Sequence, residues 1–311
     1  MGATGETGSA GPAGPPGPAG ATVWDSVRDA SNGCAAAVGD YTADDTDAIQ
    51  CHLDHAVGTQ GGNVVWLPPG NYLVSNGGLI LRDGVELIGA GQGTTQVSVK
   101  TDSAVVTFDA DSCAYASLRD VTIAGFSSAA ATTNAVAIGT NCKVILRDDR
   151  IIGGYAALYN LGIDSLIENC FLAGYTAAVT SQGANWYVRD KLDTTGDFPS
   201  VYAFLQGDRP DTASSSENHF IQCDFSGDYQ FSISIADTTA SAITVFDGSV
   251  MSSPISITGA KWTSFANDEL GSTTFTANSG VVTVTGSYGF VPIAVTGAAV
   301  RTGAGNYNVS I

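Results

Sequence analysis

Lysine is nearly missing from this chain: Lys100, Lys143, Lys191 and Lys261 are the whole complement in 311 residues. Charged side chains make up only 14%, and the balance among them is one-sided, with a formal net charge of −18. A field of that sign repels nucleic acid and anionic membrane, so neither is expected as a partner. Apolar runs of about 18 residues, the length that crosses a bilayer, are also lacking, which argues against membrane insertion through helices. No basic-then-apolar signal segment stands at the N-terminus, so a protein acting outside a cell would leave by another route, such as lysis. CxxC pairs are absent from the six cysteines Cys34, Cys51, Cys113, Cys142, Cys170 and Cys223. In a chain this large that scatter is not a disulfide framework. Most of the six read as reduced, buried, small apolar residues, with one disulfide as the alternative. No metal spacing and no redox motif occurs, so neither a metal nor a cofactor is expected.

What is plentiful is glycine, alanine, serine, threonine and valine, a mixture suited to short strands and tight turns. The most ordered pattern is at the start. Gly2, Gly5, Gly8, Gly11, Gly14, Gly17 and Gly20 keep strict phase, with Pro12, Pro15, Pro16 and Pro18 between them. Glycine at every third position is what three polyproline-II strands need around a crowded common axis. A flexible Gly/Pro linker would not hold the phase. Residues 1–22 are therefore expected to form a collagen-like triple-helical stalk, on the order of 60 Å long, in a homotrimer.

Residues 23–60 read as a junction followed by a capping helix over Asp47–Val57. Thr42, Asp44 and Asp45 supply cap residues, Ile49, Leu53, Ala56 and Val57 an apolar face, and Gly58 the stop. His52 and His55, with Cys51, lack the further ligands of a metal site and are expected as surface histidines.

From Gly61 onward the texture is short strands separated by Gly, Pro, Asn and Asp. One phrase recurs: Leu118-Arg-Asp120, Leu146-Arg-Asp148, Ile167-Glu-Asn169, Val188-Arg-Asp190, Ile221-Gln-Cys223 and Val245-Phe-Asp247. The anchors fall 28, 21, 21, 33 and 24 residues apart. Such a step, with extra length confined to particular turns, predicts a solenoid of stacked parallel strands over residues 61–271, with the anchors in an internal column. The third residue is expected at a corner in left-handed geometry, which accounts for Asp120, Asp148, Asn169, Asp190 and Asp247 without catalysis. The second residue should project outward. Arg147, Glu168 and Arg189 would then form an alternating ion ladder about 4.8 Å per step, or a basic strip that grips an acidic sugar.

The longest insertion, Thr194 to Asn218, holds Phe198, Tyr202, Phe204, Asp208, Arg209 and Asp211, with Trp186 and Tyr187 just before it. Aromatic faces beside charged groups suit sugar rings, and the same loop would equally serve to pack on a neighbouring subunit. Glycan-binding candidates are Trp186, Tyr187, Arg147, Arg189, Tyr202 and Arg209. In residues 272–311, two strand-like runs flank Asn278-Ser-Gly280, which predicts a hairpin within a C-terminal β cap or trimerisation region.

The passages Gly39-Asp-Tyr-Thr-Ala-Asp-Asp-Thr-Asp-Ala-Ile-Gln50, Gly61-Gly-Asn-Val-Val-Trp-Leu-Pro-Pro-Gly-Asn-Tyr72 and Val85-Glu-Leu-Ile-Gly89 resemble the opening of the pectate-lyase-like right-handed β-helix superfamily. The resemblance implies an all-β, right-handed parallel β-helix whose first coil is covered by the helix. With the stalk, the chain looks like the phage tail fibres and tailspikes of that superfamily. That likeness implies a virion tail protein acting outside the host cell, with host cell-surface polysaccharide, other tail or baseplate proteins and its own copies as partners.

Three readings follow: a glycan-binding virion component, a polysaccharide depolymerase of the same type, and a secreted pectin-type lyase. The last fits poorly with the stalk and the missing signal segment. A hydrolase needs two carboxylates about 5–9.5 Å apart, for which Glu168 with Asp149 or Asp193 are the candidates. A lyase needs a base near the sugar α-proton, for which Arg147, Arg150, Arg189 and Lys191 qualify by type. The first reading is the expectation, with the depolymerase as its alternative.

Overall fold

Each copy of the repeated phrase forms one strand of a single sheet. The computed structural model describes residues 24–57, 63–75, 77–109, 113–193, 201–206, 217–225, 227, 229–235, 243–257, 262–270, 275–277, 281–285, 287, 292–295, 299–302 and 308–310. The stalk residues 1–22, Gly58, Arg209 and the turn at Asn278–Gly280 lie outside them. The described strands fall into three long parallel sheets of 12, 10 and 11 strands, visited in rotation, as a right-handed parallel β-helix requires. The first sheet includes Ala114–Arg119, Lys143–Arg147, Ile163–Glu168, Ala184–Val188, Glu217–Ile221, Ile243–Asp247 and Trp262–Ala266. No helix among the described residues is long and apolar enough to cross a membrane.

Alternation within each strand builds the core. In Lys143–Arg147, Val144 and Leu146 are buried while Ile145 and Arg147 face out. Stacking then lines up one inward column, Leu118, Leu146, Ile167, Tyr187, Phe220, Phe246 and Phe265. This corrects the phrase alignment at three copies. Tyr187, Phe220 and Phe246 are the anchors, not Val188, Ile221 and Val245. Those strands carry apolar residues on both faces, and a one-residue slip exchanges the faces without breaking the pattern.

The corner after this sheet is left-handed at Asp120, Asp148, Asn169, Arg189, Gln222 and Asn267, with φ between 55° and 59°. At the corner after Asp247, Gly248 takes the turn. Asp120, Asp148 and Asn169 thus stand where expected. Asp247 is instead the last residue of its strand, and Asp190 lies one step past the corner, inside the molecule.

That inner position forms a second column: Val121, Asp149, Cys170, Asp190, Cys223, Ser249 and Asp268. Their backbone N–H groups, turned inward at the corner, need acceptors away from water. At five of the seven positions the next coil supplies them. Asp149 accepts from Val121 N at 3.2 Å, Asp190 from Cys170 N at 2.7 Å and Asp268 from Ser249 N at 2.7 Å. Ser249 Oγ and Ser287 Oγ accept in the same way from Cys223 N and Asp268 N, both at 3.1 Å.

The helix, Thr46–Ala56, closes the first coil with Ile49, Leu53 and Ala56 buried. His52 is not a surface histidine. It is fully buried and its Nδ1 lies 2.9 Å from Asp25 Oδ2, tying the helix to the first strand, Asp25–Ser26. Asp45 does not cap the helix with its side chain. Its carboxylate accepts from Val38 N at 2.6 Å and Gly39 N at 3.0 Å, pinning the junction.

Four of the six cysteines are paired, against the expectation that most are reduced. Cys34–Cys51 joins junction to helix, and Cys113–Cys142 joins one coil to the next. The reason is the coil itself. Residues 29 apart in sequence sit one rung apart in space, with Cα atoms 5.1 Å apart. Cys170 and Cys223 are the buried free thiols that were expected. Replacing Cys34 and Cys51 together by serine releases a loop of 17 residues. The chain-entropy model puts the loss at about 3 kcal/mol. It should appear as faster amide exchange in Thr46–Ala56, and unchanged exchange there would refute it.

The hairpin expected near residue 280 does not form. Phe275–Ala277 pairs in parallel with Ile255–Ile257 in the third sheet, and Val281–Thr285 pairs in parallel with Trp262–Ala266 in the first. Both strands continue the parallel coils, one in the third sheet and one in the first.

Candidate functional site

Three guanidinium groups and two carboxylates share the outer surface of the first sheet near its corner. Register places Arg119, Arg147 and Glu168 side by side on successive strands. Arg147 Nε donates to Glu168 Oε2 at 2.8 Å, and Arg189, at the next corner, pairs with Glu168 Oε1. Arg119 Nε donates to Glu86 Oε1 at 2.7 Å. The expected ladder is therefore present, although Arg189 reaches Glu168 from the left-handed corner and not from the strand.

These side chains border two shallow depressions that share Arg147. One, of about 420 Å³, is lined by Arg147, Asp148, Glu168, Asn169 and Arg189. The other, of about 300 Å³, is lined by Glu86, Ser117, Leu118, Arg119, Ile145 and Arg147. Together they make a trough along the solenoid axis. Arg119, Arg147 and Arg189 balance Glu86, Asp148 and Glu168 there, in a chain whose overall charge is −18. Guanidinium groups at fixed spacing donate well to carboxylates and to paired hydroxyls.

Further along the same face, Trp186 is 43% exposed and stacks on His219, ring centroids 4.1 Å apart and planes 8° from parallel. His219 Nε2 is 2.8 Å from Glu217 Oε1. An exposed indole face of this kind suits a sugar ring or another apolar surface.

The other candidates do not join the trough. Tyr187 is fully buried, its ring stacked on Phe220 at 4.5 Å and its hydroxyl accepting from Asn160 Nδ2 at 3.2 Å, so no glycan reaches it. Asp149 is fully buried in the inner corner column, where burial holds its carboxyl pKa well above the ordinary value. Asp193 follows the strand Lys191–Leu192 in the second sheet and pairs with Lys191 Nζ at 2.7 Å. Of the two carboxylate pairings considered for a hydrolase, Glu168 with Asp149 joins an outer-face group to a buried one, and Glu168 with Asp193 joins groups of two different sheets. Tyr202 begins a strand of the third sheet, away from the trough, and Arg209 is outside the described residues. Ile145, His219 and Trp262 share the face with Trp186 but escaped sequence reasoning. The missing signal is the register that aligns them.

Residues 34–182 match the family model described as rhamnogalacturonase A/epimerase, pectate lyase-like. A stretch of 74 residues is 46% identical to mannuronan C5-epimerase AlgE6 of Azotobacter vinelandii, covering 22% of this chain and 8% of that protein. Among solved structures, the A-module of mannuronan C-5 epimerase AlgE4 from the same organism is similar with a TM-score of 0.53 and 15% identity, covering 92% of this chain and 97% of that one. The tailspike protein gp49 of Acinetobacter baumannii bacteriophage Fri1, a capsular polysaccharide depolymerase, is similar with a TM-score of 0.56 and 12% identity, covering 86% and 60%. At these identities the two structures speak for the fold.

Proposed function

We propose that this chain, a pectate-lyase-like right-handed parallel β-helix, is a trimeric phage tail component of fibre or tailspike type that binds host cell-surface glycan. The observation that carries the reading is the trough at Arg147, Glu168 and Arg189, a charge-balanced cluster of guanidinium donors on an otherwise strongly acidic molecule. The collagen phase in residues 1–22 supports the homotrimer, and the tailspike neighbour gp49 supports the setting in a virion tail. Two disulfides are consistent with work outside the reducing cytosol.

Binding is favoured over cleavage by the surroundings of Glu168. It is held by two arginines, and its expected carboxylate partners lie elsewhere. Depolymerase activity is the second reading, favoured by the likeness to the tailspike gp49, a capsular polysaccharide depolymerase. Incubation of the purified protein with host envelope polysaccharide separates the two. Retention of polysaccharide without new reducing ends or unsaturated uronates is expected, and release of either would establish the enzyme instead. Replacing Arg147 and Arg189 together by alanine should weaken retention about tenfold or more, since each charge-assisted hydrogen bond is worth roughly 1.5–3 kcal/mol. Undiminished retention would remove the trough from the binding site.

A further inference from the structure

From the seat of the first residues of the body, we infer that the outer face of the first sheet is where the three copies of this chain meet, leaving the arginine trough at the rim of that contact. The inference rests on the trimer reading above. In a triple helix each glycine sits at the common axis. Gly20 is the last glycine in phase, and Trp24 follows four residues later. Even a fully extended chain covers at most about 14 Å in that distance, so Trp24 stands close to the axis. Trp24 packs edge-on against Trp66, ring centroids 5.9 Å apart, and Asp25–Ser26 is the edge strand of the first sheet. Trp66 faces outward between the buried Val65 and Leu67. The axis therefore passes over the outer face of this sheet.

The chemistry of that face agrees. Ile145, Leu166, Trp186, His219 and Val245 follow one another in register along it, and Trp262 lies beside them. Ile145, Trp186 and Trp262 are each about 40% exposed in the single chain. The corresponding column of the second sheet is more polar, with Gln96, Thr122, Arg150, Lys191, Asp224 and Glu269 against only Phe171 and Val250 as apolar members.

Charge makes the same choice. Three chains of −18 repel one another, so contact is least costly where carboxylates are already paired. On the first sheet Glu86 is paired by Arg119, Asp164 by Lys143, and Glu168 by Arg147 and Arg189. An apolar centre with a polar, ion-paired rim is the ordinary anatomy of a protein interface. Trp186 then serves the contact between copies, and the trough opens into the cleft between neighbours.

Single cysteines test this on the full chain, with Trp186→Cys and Trp262→Cys on the proposed face and Lys191→Cys on the second sheet as reference. Light scattering first gives the native mass. For a trimer, thiol oxidation should join chains through residue 186 or 262 and not through 191, and maleimide should label residues 186 and 262 at least about tenfold more slowly than 191. A trimer in which position 191 cross-links, or in which 186 and 262 label as fast as 191, overturns the assigned face while leaving the trimer standing. A native mass of one chain overturns both.

Discussion

Phe220→Ala should destabilise the central coils by about 3–5 kcal/mol, as expected for removing a buried aromatic whose cavity cannot collapse. Phe220 is the hub of the inward column. Its ring stacks between Tyr187 at 4.5 Å and Phe246 at 5.1 Å, and meets Phe204 and Phe225 edge-on at 4.6 and 5.4 Å. Stacking continues to Phe265, 5.0 Å beyond Phe246. Each such pair adds roughly 0.5–1.5 kcal/mol to the area it buries. In a solenoid each coil rests only on its neighbours, so the damage should be local. Amide exchange should accelerate in Ala184–Val188, Glu217–Ile221 and Ile243–Asp247, while Thr46–Ala56 keeps its protection. A urea midpoint unchanged from the parent would show that the column is not the core.

The same column couples packing to the outer face. Tyr187 and Phe220 point inward from the strands whose neighbouring residues, Trp186 and His219, point outward and stack on each other. Strand alternation makes the inner stack the foundation of the outer one. Loss of Phe220 should therefore also disturb the stacking of Trp186 on His219, visible as altered tryptophan fluorescence.

The solenoid and its helix were readable because their signals are local or periodic. The Asp-rich cap passage, the Pro-Pro-Gly turn and the recurring apolar-polar-Asp phrase each sit within a dozen residues. The register was not readable. Val188 beside Tyr187, Ile221 beside Phe220 and Val245 beside Phe246 place apolar residues on both faces, so alternation alone gives no direction. Arginine and glutamine at the corners 189 and 222 conceal the left-handed turn that Asn or Asp marks elsewhere. The arginine–glutamate ladder was still recovered, because at Arg147 and Glu168 the phrase alignment is correct. The disulfides and the buried His52 depend on contacts between elements distant in sequence, which no linear spacing displays.

The inner corner column makes stability depend on pH with a definite sign. Asp268 is buried, and burial raises its pKa from 3.8 to about 7, while Oδ2 has no hydrogen-bond partner among the described residues. A folded pKa above the unfolded one means that the folded chain favours the protonated acid. Its stabilising contribution is complete below pH 3.8 and is lost as pH rises through about 7. At 1.36 kcal/mol per unit, that difference is on the order of 4 kcal/mol. Asp149 and Asp190, fully buried with pKa values pushed up by burial, act in the same direction. Asp268→Asn keeps an acceptor for Ser249 N and cannot ionise. Its melting temperature should match the parent's near pH 4 and exceed it at pH 8, the gap opening between pH 4 and 8. A gap that instead widens toward acid, or a variant less stable than the parent at pH 8, would mean that Asp268 is buried as a charged carboxylate whose acceptor strength the column requires.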